Sequence, residues 1–497
     1  MMIEGLVIAS LMLIGALTIR SCGIDSRGLT LVLSVPVACA VIVLIGTTLI
    51  VLGIPIAVPP VLIGTSLGLL GLVTMRNRLN RSDVLFLSLA AAGGMLIAAT
   101  VHGRALVQLT VDSFEYLTIG AILAEDGGVS VIPFDRLQRR GVAYPMLLSL
   151  GHLGNDYYLH SLAPVIAVST IGLLVWLTWK ALSGLRSTTR TVACAMGALL
   201  LVTNHRFVFN AWYLNSHMLF AAWLLAAIGL LWLHNAGRYR VSSGIVLVVL
   251  PALALLRPEA GLTALVAVVP ALASDRFSER FKGLLIGTIG LAVVAWHVRI
   301  VLQAGGKAGI ETWGMIGVGL LAVVVGGLLN ARVVVIPQWT PAAGVAVLSL
   351  TVLVLAFWDG GIIRASIDAT LQNQVGGAGL YGSSLIVLAL LSLGVLGWRR
   401  FPGMQMFVVP LVAALPLGLL LAVLRGTAYR VGPGDSLNRM LFHWLPLAIL
   451  AVVAAIDSQP SWRRMADRGK HKREVSTVSQ TVSDEPRSLD SVADLET

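Results

Sequence analysis

The 497-residue chain is 57% hydrophobic and 12% charged, and its mean hydropathy is +0.89. A soluble domain carries about twice that charged share, and apolar runs of the length that crosses a ~30 Å bilayer core recur up to Ile456, so a water-soluble class is excluded. The formal charge of +11 reads as the Lys/Arg surplus of cytoplasmic loops, and no nucleic acid is expected as a partner.

In chain order, Ile3–Ile19, Leu29–Leu52, Ile54–Met75 and Val84–Thr100 read as the first four spans. A long polar interval, 101–157, follows. Then come Tyr158–Leu182, Thr191–Thr203, His217–Leu233, Val241–Leu256 and Ala260–Ala273. The series ends with Leu284–Leu302, Met315–Leu329, Ala342–Phe357, Leu385–Leu396, Met406–Leu424 and Met440–Ile456. Several runs fall short of ~17 residues and could merge or re-enter, so about 11 to 15 spans are expected in an all-α polytopic membrane protein. The opening run lacks a basic n-region and reads as a span, not a cleaved signal. Cys22, Cys39 and Cys194 are too scattered for a disulfide frame or a zinc site. Residues 457–497 are polar, first basic and then rich in Ser, Thr, Asp and Glu. They read as a disordered cytoplasmic tail.

Alternating these spans puts about two thirds of the 35 Lys and Arg on one side, which the positive-inside rule makes cytoplasmic. The basic loops are Arg76–Arg81, Lys180–Arg190, Arg238–Arg240, Arg276–Lys282 and Arg399–Arg400, together with the tail. The remaining polar residues collect on the opposite, external face.

The long external loop carries VDSFEYLTIGAILAEDGG, which reads as a short helix lying along the membrane surface on a face of Leu117, Gly120, Ala121 and Ala124. Asp112, Glu115 and Tyr116 stand at i, i+3 and i+4 and are neighbours on that helix. Near the positive end of the helix dipole Asp112 stays ionised, as a general base must; the same position also suits a helix cap. Glu125 and Asp126 form an adjacent acidic pair that could hold a divalent cation, or simply end the helix before Gly127 and Gly128. Arg136, Arg139 and Arg140 break the inside bias and call for an anionic ligand or for acidic partners. Between Asn204 and His217 the loop is dense in groups that suit a sugar: His205, Arg206, Asn210, Trp212, Tyr213, Asn215 and His217. Trp212 and Tyr213 equally suit an interfacial aromatic belt. Arg257-Pro258-Glu259 joins two short apolar segments and puts charges near membrane depth, where they are costly and are paired or functional. The interval Trp358–Gly382 is glycine-rich and reads as a mobile lid. Arg425, Arg430, Asp435 and Arg439 precede the last span. No P-loop, zinc-protease helix or nucleophile elbow is present.

Taken in order, VDSFEY around Asp112–Tyr116, RRGVAYPMLLSL at Arg139–Leu150, LLRPEAGL at Leu255–Leu262 and NRMLFHWLP at Asn438–Pro446 resemble the membrane glycosyltransferases of the GT-C superfamily. The resemblance spans residues 84–456 and leaves 1–83 as additional N-terminal transmembrane helices. It implies a helical bundle whose long first external loop carries the catalytic residue, and a polyprenyl-phosphate-linked sugar donor. Asp112 matches the family's general base, which deprotonates an acceptor hydroxyl on a lipid, polysaccharide or protein and inverts the anomeric centre. Arg439 and Arg257, with Arg140 behind them, would stabilise the departing phosphate. Glu115, Tyr116, Tyr144, His205, Asn215 and Glu259 complete the expected substrate-binding set. No cofactor is assigned; Glu125 and Asp126 are only the candidates for a divalent cation. Many members carry an acidic pair where this chain has Asp112 alone. The implied location is the cell membrane, with the site extracytoplasmic. The alternative is a transporter or flippase of a lipid-linked glycan or other anionic lipid. Polar groups loaded on one face favour an enzyme over a path through the membrane.

Overall fold

The computed structural model describes residues 2–54, 58–74, 81–101, 111–154, 156, 158–239, 243–358, 360–381, 388 and 403–457. Most of the basic loop at 76–81, the span expected at Leu385–Leu396 apart from Leu388, and the tail lie outside them. The described residues are helical throughout, without a sheet. Four helices come first: α1 (Met2–Ser21), α2 (Arg27–Val51), α3 (Val58–Thr74) and α4 (Arg81–Val101). The long loop contains α5 (Val111–Glu125), α6 (Phe134–Arg140), α7 (Ala143–Leu148) and a 3-10 turn, Ser149–Gly154. Next are α8 (Leu162–Ala181), α9 (Ser187–Val202), α10 (His205–Trp212), α11 (His217–Asn235), α12 (Ser243–Leu256) and α13 (Ala260–Leu272). The chain continues through α14 (Glu279–Gln303), α15 (Ile310–Asn330), α16 (Thr340–Trp358) and α17 (Gly360–Gln374). The last two helices are α18 (Gln405–Leu424) and α19 (Ser436–Asp457).

Among the described residues nine helices are long and apolar enough to cross a membrane, or ten if α9 and α10, bent by 66°, form one broken span. Four further apolar helices among the described residues are shorter, Pro59–Val73, Ala91–Thr100, Gly244–Leu256 and Ala260–Leu272; the eleven to fifteen expected also include Leu385–Leu396, outside the described residues but for Leu388. The multi-pass character stands.

Helix α11 is the axis of the bundle: every residue from His217 to Leu233 is buried. An all-apolar circumference suits a helix surrounded by others. It packs on α8, α12 and α19, and the indole of Trp223 donates to the carbonyl of Pro36 in α2 at 2.7 Å. At the periphery, α14 and α15 approach so closely that a Cβ at Gly290 would lie 2.6 Å from the carbonyl oxygen of Gly319. Small residues at such spacing let membrane helices meet backbone to backbone. Most of α16 is exposed apolar surface, ending in Phe357 and Trp358, as a lipid-facing helix would be.

Cross-chain hydrogen bonds sort the loops into two faces. On one, Arg27 bonds Ser82, Arg238 bonds the Ala181 carbonyl, Ser274 bonds Asn235, and Gln338 bonds Asp275. On the other, Ser161 bonds Glu4, Gln138 bonds Thr312, Ser113 bonds the Leu214 carbonyl, and Arg206 bonds the Pro433 carbonyl. This is the grouping expected from alternating the spans.

Three local expectations change. The buried stripe of α5 is Ser113, Tyr116, Ile119, Gly120 and Leu123, where it packs on α7 and the 3-10 turn; of the expected face, Gly120 is buried and Leu117, Ala121 and Ala124 are half-buried. The interval read as a mobile lid is largely α17, and its end is docked. Asn373 accepts from Gly432 N–H at 2.7 Å and Gln374 donates to Asn438 at 2.9 Å. The segment after Asn204 is the short helix α10, capped by the Asn204 side chain, which accepts from Phe207 N–H.

Candidate functional site

The site is built on helix starts. Asp112 lies in the first turn of α5, and its two carboxylate oxygens are taken by two arginines from distant segments. Oδ1 accepts from Arg140 Nη2 at 2.5 Å, and Oδ2 accepts from Arg439 Nη1 in the first turn of α19. The side chain therefore does not cap its own helix. Arg140 also donates through Nε to Glu115, one turn along α5, and its guanidinium lies 5.7 Å from the centre of the Tyr116 ring. Gly141, at φ +66, ends α6 directly after Arg140, a conformation that glycine adopts without strain.

A second charge group lies beneath. Pro258 breaks the chain between α12 and α13, since it lacks the N–H that would continue the helix. At ~1.5 Å per residue each of these helices is only about 20 Å long, short of a ~30 Å bilayer core. In that turn Arg257 pairs with Glu259 at 2.7 Å, and Arg425, following α18, reaches the other Glu259 oxygen at 3.3 Å. Arg257 Nη1 also approaches the Tyr116 hydroxyl at 3.4 Å, Ser216 Oγ at 3.5 Å and His217 Nε2 at 3.3 Å.

That last contact fixes a proton. A guanidinium only donates, so His217 Nε2 accepts and its proton sits on Nδ1. Nδ1 then donates to His443 Nε2 at 2.8 Å, and the His443 ring stacks on Phe220 at 3.8 Å. Both rings are buried and hold the base of the cluster.

Electrostatics keep the carboxylates ionised. Burial pushes the Asp112 carboxyl up, but Arg439, then Arg140 and Arg257, outweigh it and hold it below the ordinary carboxylate range. Burial opposes the Glu259 charge too, yet Arg257 and Arg425 bring it down to about 2. A carboxylate so placed is a firm anion and a weak base until a guanidinium leaves it.

Donors exceed acceptors here. Arg206 is fully buried; Nη1 donates to the Pro433 carbonyl at 2.5 Å, while Nε and Nη2 have no partner among the described residues. Arg439 Nε and Asn215 Nδ2 are likewise buried and unpartnered among the described residues. Arg206 is close enough to Arg439, Tyr213 and the histidine pair for its charge to bear on them. Buried N–H groups of cations are costly unless an acceptor meets them. The arrangement can therefore receive an anion beside an ionised carboxylate.

The structure brings together Asp112, Glu115, Tyr116, Arg140, Asn215, Arg257, Glu259 and Arg439. Asn215 acts locally, its Oδ1 accepting from His217 N–H at 2.7 Å. Two expected residues do not join. His205 is exposed at the start of α10, and one residue on Arg206 faces inward instead. Tyr144 is 1% exposed and packs edge-on behind Tyr116 at 5.5 Å, so it supports the tyrosine and offers no face to a substrate. The acidic pair Glu125 and Asp126 is also remote. Thirteen residues of helix at ~1.5 Å each put Glu125 about 20 Å along α5 from Asp112. Both acids are exposed, and Gly127 at φ +66 follows them, as in a helix C-terminus. Arg206 and Arg425, noted in the external loops without a specific role, also join the cluster; His443 was missed, because a histidine inside an apolar span carries no sequence signal of its own.

The chain was compared with family models, with curated proteins and with solved structures, and none of the three gives a match.

Proposed function

We propose that the protein is a membrane glycosyltransferase that moves a sugar from a polyprenyl-phosphate donor to an acceptor hydroxyl at the extracytoplasmic face. One observation carries the reading: Asp112 is clamped between Arg140 and Arg439 in a cluster where further buried guanidinium N–H groups have no acceptor among the described residues. Sugar transfer from a lipid phosphate needs these two functions side by side, a carboxylate for the acceptor proton and fixed cations for the phosphate that leaves. The GT-C-like order of motifs agrees with this reading, as does the placement of the basic loops on the opposite face.

The clamp gives an order of events. The donor phosphate competes with Asp112 for Arg439 and takes the unpartnered donors of Arg439 and Arg206. Losing a guanidinium raises the basicity of Asp112 and frees Oδ2. The acceptor hydroxyl then bonds that oxygen, loses its proton to it, and attacks the anomeric carbon as the bond to the phosphate oxygen breaks. The phosphate leaves with the bonding electrons, held by the arginines, and the configuration inverts. Tyr213, whose hydroxyl lies 3.5 Å from Arg439 Nη1, offers a hydroxyl and a ring to the sugar.

The test is a proteoliposome assay with polyprenyl-phosphate carrying a radiolabelled sugar and a cell-envelope extract as acceptor. Label transferred to the extract, with free polyprenyl phosphate formed in equal amount, is the expected result. Intact donor appearing in the opposite leaflet without transfer would establish the flippase reading instead.

A further inference from the structure

Outside the site already described, Glu4 in the first turn of α1, Asp156 after the 3-10 turn and His160 before α8 converge. One ligand atom from each lies within 4.8 Å of the others. The centre of a triangle with that edge is about 2.8 Å from each corner, so shifts of under about 0.8 Å bring all three atoms to the ~2.0–2.2 Å of zinc–nitrogen and zinc–oxygen bonds. The carriers are firmly held. Glu4 is 4% exposed and one carboxylate oxygen accepts from Ser161 N–H at 2.6 Å. The Tyr158 ring lies against the His160 imidazole with centroids 4.0 Å apart. Gly151 permits the turn between the carriers, since a Cβ there would meet the Tyr158 carbonyl carbon at 2.2 Å.

Ser161 supplies an independent sign. It occupies the N-cap position of α8, yet its hydroxyl does not cap the helix. The residue is fully buried and Oγ has no hydrogen-bond partner among the described residues, although the backbone N–H of the same residue holds Glu4. A buried hydroxyl that no protein atom meets is commonly satisfied by an ordered water.

We propose that Glu4, Asp156 and His160 bind a divalent first-row metal ion, with Zn2+ as the probe, completed by a water that meets Ser161 Oγ. Two carboxylates and one imidazole suit such an ion. It would clasp the start of α1 to the end of the loop that carries Asp112 and Arg140. This role is independent of glycosyl transfer.

The experiment uses the untagged full chain in detergent, stripped with EDTA and dialysed against micromolar ZnCl2. The expected result is one zinc per chain, with affinity at least tenfold weaker in Glu4→Gln and in His160→Ala and unchanged in the double variant Glu125→Gln/Asp126→Asn. Equal zinc in the wild type and in the variants at Glu4 and His160 would overturn the proposal, as would no zinc in the wild type. Should those variants fail to fold, the wild type alone decides. Binding to the native state raises its melting temperature in step with free Zn2+, and a melting temperature indifferent to Zn2+ contradicts the site.

Discussion

At the scale of single residues, the charge clusters are strong only as complete units. Glu259 is buried with Arg257, and removing one partner leaves an unpaired charge at a cost of about 3–5 kcal/mol. Glu259→Gln should therefore lower the melting temperature markedly, whereas Arg257→Met with Glu259→Leu should recover much of the loss while remaining inactive. Thermal unfolding in detergent separates the two. The same pairs set an acid limit. Asp112 and Glu259 both sit below their ordinary values when folded, so their stabilisation is complete above that range and is lost as pH falls through the folded values. The Glu259 contribution should decline from pH 4.5 toward 2, the interval between its ordinary and folded values. Thermal unfolding against pH in the wild type and in Glu259→Gln isolates it; an identical decline in the variant would contradict this. Much of the cluster was legible in sequence because charged residues in apolar surroundings stand out. Asp112, Arg140, Arg257, Glu259 and Arg439 were all visible in this way. His205 and Tyr144 misled for one reason: residue type gives no direction. A one-residue step on α10 exchanges an exposed histidine for a buried arginine.

At the scale of elements, helix starts and breaks position the chemistry. The first turns of α5 and α19 and the end of α6 each deliver one charged side chain to the cluster, and the break between α12 and α13 delivers two, Arg257 and Glu259. Asp435 secures the start of α19, where its oxygens accept from the N–H groups of Asn438 at 2.9 Å and Arg430 at 2.8 Å. Asp435→Ala should loosen Arg439 and raise the donor KM more than it lowers kcat; an unchanged KM would remove this positioning role. Elsewhere, helix contact depends on small residues. In α14, Gly290→Val places branched carbons against the Gly319 carbonyl and should destabilise the α14–α15 pair by about 1–3 kcal/mol, read as a lower melting temperature. The apolar runs announced most spans to within a few residues. The 358–382 interval was misread because glycine and polar residues suggest a loop, while contacts to Asn438 and Gly432 hold much of it as α17.

For the whole molecule, parity is the central structural fact. Contacts between distant loops never mix the two faces among the hydrogen bonds described above, and all site residues fall on one of them. Which face is external rests on the distribution of Lys and Arg. Lys307 and Arg280 are exposed on opposite faces. A membrane-impermeant maleimide on intact cells should label Lys307→Cys and spare Arg280→Cys; the reverse pattern would place the cluster in the cytoplasm.

The most direct measurement pairs sugar transfer with donor binding in Asp112→Asn. Turnover should fall by roughly 10²–10⁴, as expected for loss of a general base, while the donor binds as tightly as before or more tightly, because Arg439 no longer has a carboxylate to leave. Undiminished turnover, or loss of donor binding with the protein still folded, would contradict the assignment of Asp112 as the base released by the donor phosphate.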